Sequence, residues 1–238
     1  MTKIERILVL NDFHIPFQDR KTLDNVYSCI KDMKPNKIYL LGDIIDFYSV
    51  SRFDKDPTRA LTLEKELKKT QVELKKLRNT TDAEIIYVHG NHEERLRKYI
   101  LRNAKELFWV KELKVENLLG LKELKIKYVN KRWTNYKGTL YSHMNRASGY
   151  GGYTAKNIGQ RIFKDVIHGH SHKTGKVRMN QFTFIDNGCL CELNAEYLEC
   201  PSDWTQAFTV VTHKDGKKYI EQVDIIDHKF IYGGKMYG

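Results

Sequence analysis

The run Ile85-Ile86-Tyr87-Val88-His89-Gly90-Asn91-His92-Glu93 constrains this chain more than any other stretch. An apolar strand ends there at a glycine and hands over to an amide, an imidazole and the charged start of a helix. In an α/β protein, side chains beyond the carboxyl end of a strand project into a shared crevice, which is where chemistry is placed. Four other apolar runs end in the same way. Asp12 and His14 follow Ile7-Leu8-Val9-Leu10, and Asp43 and Asp46 follow Ile38-Tyr39-Leu40-Leu41-Gly42. His143 follows Thr139-Leu140-Tyr141, and His170 and His172 follow Val166-Ile167-His168-Gly169. Five strand ends thus carry carboxylates, an amide and imidazoles toward what could be one spot.

Between these ends, hydrophobic spacing predicts helices over 20–33, 60–78, 92–104 and 153–163, with strands over 37–41, 84–88, 138–142 and 165–168. The first helix stops ahead of Pro35, because proline disfavours helical backbone in the residue before it. Leu61, Leu63, Leu67, Val72, Leu74 and Leu77 among lysines and glutamates make the second an amphipathic, solvated helix. Residues 105–135 mix helical spacing with a strand at 126–129 and read as a small insertion. From Lys176 onward, alternation in 182–185, 207–211 and 219–223 predicts three or four antiparallel strands. The order βαβαβα followed by a β-rich half predicts one packed α/β domain over 1–238. At 238 residues such a domain buries roughly 70% of its unfolded surface and needs no staple.

No apolar run approaches the ~20 residues of a membrane helix, and Ile7–Leu10 is too short for the core of a secretory signal. The expectation is a cytoplasmic protein with no membrane partner. Cys29, Cys189, Cys191 and Cys200 contain no CxxC pair and are expected as buried or edge thiols in a reducing compartment. Lys and Arg outnumber Asp and Glu by 41 to 30, a formal charge of +11. That favours anionic partners, although a lysine-rich proteome gives the same balance. Nothing in the sequence sets an oligomeric state.

Carboxylates, imidazoles and a carboxamide together are the donor set of divalent Mn, Fe and Zn. Asp12-Phe13-His14, Gly42-Asp43-Ile44-Ile45-Asp46, Gly90-Asn91-His92-Glu93, the isolated His143 and Gly169-His170-Ser171-His172, in that order and each after a strand, resemble the calcineurin-like metallophosphoesterases. Each block alone is weak; their joint order is specific. The resemblance implies a four-layer α-β-β-α sandwich of two mixed sheets with flanking helices. It also implies one metal held by Asp12, His14, Asp43 and His172, and a second held by Asp43, Asn91, His143 and His170, with Asp43 as bridge. His92 would be the catalytic general acid or transition-state stabiliser, and Asp46 the residue that orients it. The ions would be Mn²⁺ or Fe, with Zn²⁺ or Ni²⁺ as alternatives, and a hydroxide bridging them would attack phosphorus.

The protein phosphatase branch of that family carries arginines where this chain has Phe47 and His89. Without that bidentate grip on a terminal phosphate, the expectation shifts to a phosphodiesterase or nuclease acting on nucleic acid or nucleotides. Phosphomonoesterase or protein Ser/Thr phosphatase is the alternative, and a non-catalytic metal-binding scaffold is a third reading of another class. Phe47 and Tyr48 are candidates to stack on a base and Arg146 to clamp phosphate. The basic stretches Arg95–Lys105, Lys122–Lys137 and Lys173–Arg178 are candidates to follow a nucleic-acid backbone. The same stretches are equally readable as solvated faces. His89 and His168 are expected to pack near the site, and Asp19 to cap a helix.

Overall fold

The computed structural model describes residues 4–56, 58, 61–194 and 202–238. Two mixed sheets face each other. The first has the order β11-β10-β1-β2-β3-β4, formed by Lys217–Ile225, Gln206–Lys214, Glu5–Leu10, Lys37–Leu41, Glu84–Val88 and Ile126–Val129. The second has the order β5-β6-β7-β9-β8, formed by Trp133–Tyr136, Thr139–Ser142, Asp165–His168, Phe182–Asn187 and Thr174–Met179. Strands β1 to β4 run parallel, as do β6, β7 and β9, while β10 runs antiparallel to β1 and β11 antiparallel to β10.

The two-residue period of β1 sorts its side chains between layers. Ile7 and Val9 join Tyr39, Leu41, Ile86, Val88, Tyr141, Ile167, Ile185 and Val211 between the sheets, where Tyr39 and Tyr141 stack at 4.1 Å. Leu8 and Leu10 face the other way, into the larger core beneath α1 (Arg20–Met33) and α2 (Leu63–Thr80). A third cluster seals α5 (Tyr153–Ile162) onto the second sheet through Leu140, Ala155, Ile158, Val166 and Phe184. The result is the four-layer sandwich, helices outside and two sheets within. No helix among the described residues is long and apolar enough to cross a membrane.

Helix α1 starts where Asp19 accepts from the Thr22 amide at 3.0 Å and ends at Lys34 in the left-handed region, just ahead of Pro35. Helix α3 (Glu93–Asn103) starts directly after His92. Three features depart from the sequence-based expectation. In α2, Val72 is exposed whereas Glu66 is fully buried, so its inward face carries a carboxylate that composition assigned to solvent. Residues 105–118 form short 3₁₀ turns and a single-turn α4 (Val115–Leu118), and the expected strand at 126–129, present as β4, is joined by an unforeseen β5 that edges the other sheet. The chain also closes with a hairpin, β12 (Phe230–Tyr232) and β13 (Lys235–Tyr237), for which the alternation gave no signal. The antiparallel strands expected after Lys176 occur as two hairpins, one in each sheet: β8–β9 and β10–β11. Cys29, Cys189 and Cys191 are buried and free; Cys200 lies outside the described residues.

Candidate metal centre

The carboxyl ends of β1, β2 and β3 in one sheet and of β6 and β7 in the other meet at one edge of the sandwich. Backbone pairing continues past the strands: the Asp12 amide donates to Gly42 O at 3.1 Å, His14 to Asp43 O at 2.9 Å, and Gly169 to Ser142 O at 3.0 Å. The loops are therefore fixed to one another before any side chain is considered. Two glycines make the approach possible. A Cβ on Gly42 would lie 2.6 Å from the Gly90 Cα and 2.9 Å from the His143 ring, and a Cβ on Gly90 would lie 2.3 Å from Asp43 Oδ1.

All seven residues expected as ligands converge there. His172 Nε2 lies 3.1 Å from Asp12 Oδ1 and 3.0 Å from His14 Nε2. His143 Nε2 lies 3.1 Å from Asp43 Oδ2 and 3.1 Å from Asn91 Oδ1. His14 Nε2 and His92 Nε2 approach Asp43 Oδ2 at 3.8 and 3.7 Å. Asp12, His14 and His172 form one group able to hold a cation, and Asp43, His143 and His170 another; a third, His14, Asp43 and His92, shares members with both. Five of these side chains, on Asp12, His14, Asp43, His170 and His172, hang from backbone with φ between 49° and 75°. That conformation is unfavourable for any residue with a Cβ, and a cluster of such positions marks a site that the surrounding structure holds under strain.

The hydrogen-bond pattern tests whether these donors fit a metal. His143 Nδ1 donates to Leu41 O, which leaves its Nε2 facing two oxygens. His14 Nδ1 donates to Asp46 Oδ2 at 3.0 Å, so its Nε2 likewise points at Asp12 and Asp43. Nitrogen and oxygen atoms converging in this way need a positive charge among them, and oxygen and imidazole donors at that spacing suit a divalent ion. The electrostatics agree. Burial alone would raise the Asp43 and Asp12 carboxyls, but the surrounding imidazoles, His143 foremost, hold both well below the usual range. Burial pushes the His143 imidazole down, yet the Asp43 and Asp12 carboxylates outweigh it and lift it to about 9. Protons supply the charge that cations otherwise would.

Around this core, Asp46 accepts from His14, lies 3.1 Å from His92 Nδ1, and pairs with Arg95 Nη1 at 2.7 Å. Arg95 Nη2 donates to His92 Nε2 at 2.9 Å. A guanidinium can only donate, so Nε2 is the accepting nitrogen and Nδ1 carries the hydrogen, given to Asp46 O at 3.0 Å.

Two residues with roles here carried no clear sequence signal. Arg95 was part of a basic stretch, and only helical spacing, one turn beyond His92, pointed at the site. Glu93 is fully buried. It accepts from the amides of Asp43, Ile44 and Gly90 at 3.0, 2.9 and 2.8 Å and from the Tyr87 hydroxyl at 2.6 Å, tying the loops after β2 and β3 together.

The candidate substrate residues are placed less favourably. Phe47 is fully buried in the main core, so its ring has no open face for a base. Tyr48 is half-buried against Phe17, with its hydroxyl accepting from the Asp56 amide. Arg146 is exposed on the loop after β6, and its carbonyl lies 3.3 Å from His168 Nε2. His89 bonds Tyr128 and Glu94, and His168 bonds Ser142.

The chain is 27% identical to the Gene 54 protein of Mycobacterium phage D29 and 26% identical to that of Mycobacterium phage L5, with 98% of both partners covered in each case. Its fold is similar to that of Vacuolar Protein Sorting 29 from Cryptosporidium parvum, at a TM-score of 0.52 and 14% identity over 98% of this chain and 94% of that one. The model of the calcineurin-like phosphoesterases matches residues 5–201, a span that takes in every loop of the site. The chain belongs to the calcineurin-like phosphoesterase family.

Proposed function

We infer that this protein hydrolyses phosphodiesters at a pair of divalent cations, with nucleic acid or a nucleotide as substrate and the cytoplasm as its compartment. One observation carries the dinuclear reading: Asp43 belongs to candidate cation groups on both sides of it. A carboxylate has two oxygens and can serve two ions. A cation pair bound there supplies Lewis acidity toward a phosphoryl oxygen and a water acidic enough to act as nucleophile. By this reading Asp12, His14, Asp43 and His172 hold one ion and Asp43, Asn91, His143 and His170 the other, with Mn²⁺ or iron suited to the oxygen-rich set.

The remaining residues handle the substrate and the proton. As the new oxygen–phosphorus bond forms and the ester bond breaks, the departing oxygen takes a proton from His92 Nε2. That nitrogen picks the proton up from solvent water once Arg95 has left it, while Nδ1 stays bound to Asp46 and keeps the ring in orientation. Arg95 covers His92 Nε2 before substrate arrives. An incoming phosphate draws the guanidinium away and exposes that nitrogen, so one arginine both grips substrate and gates the acid.

Preference for a diester is supported by what stands at the two positions where protein phosphatases use arginine: Phe47 is in the core, and His89 is held by Tyr128 and Glu94. Nucleic acid is supported by a basic and aromatic pair beside the site: Trp133, opposite Ser142 at the carboxyl end of β6, is exposed with Lys131 over its ring at 5.8 Å. The test is turnover by the Mn²⁺-loaded protein of bis-p-nitrophenyl phosphate, p-nitrophenyl phosphate, and single- and double-stranded DNA and RNA. Diester cleavage that a chelator abolishes is expected; turnover of the monoester alone removes the diesterase reading.

A further inference from the structure

The segment Gly188-Cys189-Leu190-Cys191 leaves β9 and runs directly behind the candidate metal centre. It is stitched in extended form: Cys189 bridges Gln206, Cys191 bridges Gln18, the Leu190 amide donates to Asp12 O at 3.1 Å, and Leu190 O accepts from Asp19 at 3.1 Å. In extended backbone, residues two apart share a face, so the two sulfurs lie on one side while Leu190 fills the main core on the other. Both sulfurs and one nitrogen of the His172 ring lie within 4.8 Å of one another, and all three residues are buried.

The ring itself gives the second observation. His172 Nε2 is turned to Asp12 and His14. Its Nδ1 is buried and has no hydrogen-bond partner among the described residues, in a residue only 7% exposed. An imidazole that binds metal through one nitrogen almost always donates the other to a carboxylate, a carbonyl or water. Here that nitrogen is left unpaired, in a ring that lies against a pair of thiols.

We propose that Cys189, Cys191 and Nδ1 of His172 bind a soft divalent cation, of the Zn²⁺ or Cd²⁺ type, behind the hard cation pair and linked to it through the His172 ring. Sulfur donors select soft and borderline ions, whereas the carboxylate, carboxamide and imidazole donors in front select Mn²⁺ or iron, so the two places discriminate between metals. A tetrahedral ion with sulfur at ~2.3 Å and nitrogen at ~2.1 Å needs ligand atoms about 3.6 Å apart, which rotation of the two cysteine side chains can reach. A disulfide is the poorer alternative. Residues two apart in a strand have Cα atoms about 6.6 Å apart, at the upper limit for that bond. On binding, each thiol gives up its proton, Nδ1 of His172 gives up its own so that the ring bridges as an imidazolate, and the ion closes a link between the loop carrying His172 and the segment leaving β9.

The proposal rests on the reading of His172 as a ligand through Nε2, but its chemistry is read separately. Protein first saturated with Mn²⁺ is titrated with Cd²⁺ while the thiolate-to-cadmium charge-transfer band in the ultraviolet is followed. One further Cd²⁺ per chain with that band is expected, and its loss in the Cys189→Ser/Cys191→Ser variant, which still takes up Mn²⁺. X-ray absorption at the cadmium edge of the wild-type protein is expected to count two sulfur neighbours, a result that does not depend on the variant folding. No band at one equivalent, a band of equal strength in the double variant, or a cadmium shell without sulfur overturns the proposal. Failure to take up Mn²⁺ before cadmium is added speaks against the dinuclear centre alone.

Discussion

At the scale of single residues, the side chains of the candidate metal centre are set by neighbours outside the candidate cation groups. Asp46 holds His14, His92 and Arg95 at 2.7 to 3.1 Å. Replacing it by Asn removes the charge that orients three partners, and kcat/KM for a diester is expected to fall roughly 10- to 100-fold with the fold intact. Arg95→Ala removes a charged hydrogen bond and is expected to raise KM about tenfold, while Arg95→Lys, with one compact charge, recovers only part of the loss. A change confined to kcat in both variants contradicts a gripping role. Although a single carboxylate or imidazole just past an apolar strand is more often there for packing, the candidate ligand residues were legible in the sequence because five blocks of carboxylate, carboxamide and imidazole occur in one order, each just past such a strand. The φ values near +50° at Asp12, His14 and Asp43 were not, since no residue-type preference signals strain imposed from outside. Phe47 shows the opposite limit: an aromatic next to Asp46 in sequence points away from it into the core.

Two buried glutamates decide how the elements hold the site. Glu93, the first residue of α3, accepts four hydrogen bonds from the loops after β2 and β3 and from Tyr87. Glu93→Gln turns an amide donor toward those donors and is expected to cost roughly 3 kcal/mol in chemical unfolding, with weaker metal uptake because Asp43 loses its anchor. Glu66, on α2, accepts from the Ser49 amide at 2.8 Å, and its second oxygen has no partner among the described residues. Burial, foremost, lifts its carboxyl from 4.5 to about 7. A folded-state value raised above the unfolded one means the native protein binds the extra proton. Stability is thus greatest below pH 4.5 for this group and falls as pH rises from 4.5 toward 7, by up to about 3 kcal/mol. In Glu66→Gln that part of the pH dependence is expected to vanish in unfolding curves collected between pH 5 and 8; a wild-type slope retained in the variant places its source elsewhere. Element order and type were legible because the strands read as continuous apolar runs. Glu66 was hidden because a carboxylate within a lysine-rich helix matches solvent by composition, and β5 because Trp133–Tyr136 alternates only weakly.

For the whole molecule, the sandwich brings two sheets together so that loops distant in sequence share one edge: residue 12 meets residue 172, and residue 43 meets residue 143. Pairing of the sheets could be anticipated only through the family resemblance, because alternation shows that a strand has two faces but not which sheet each face meets. The net charge of +11 belongs to this scale as well. If single-stranded nucleic acid is the substrate, log KM is expected to rise linearly with log salt, with a slope near 0.7 for each phosphate contacted, whereas a small neutral-leaving-group diester is expected to show little dependence. The central claim, that Asp43 serves two cations at once, is met most directly by anomalous diffraction from crystals soaked in Mn²⁺. Two peaks ~3.5 to 4 Å apart, one on each side of the Asp43 carboxylate, are the result this account predicts; a single peak at full occupancy, or peaks away from Asp43, would contradict it.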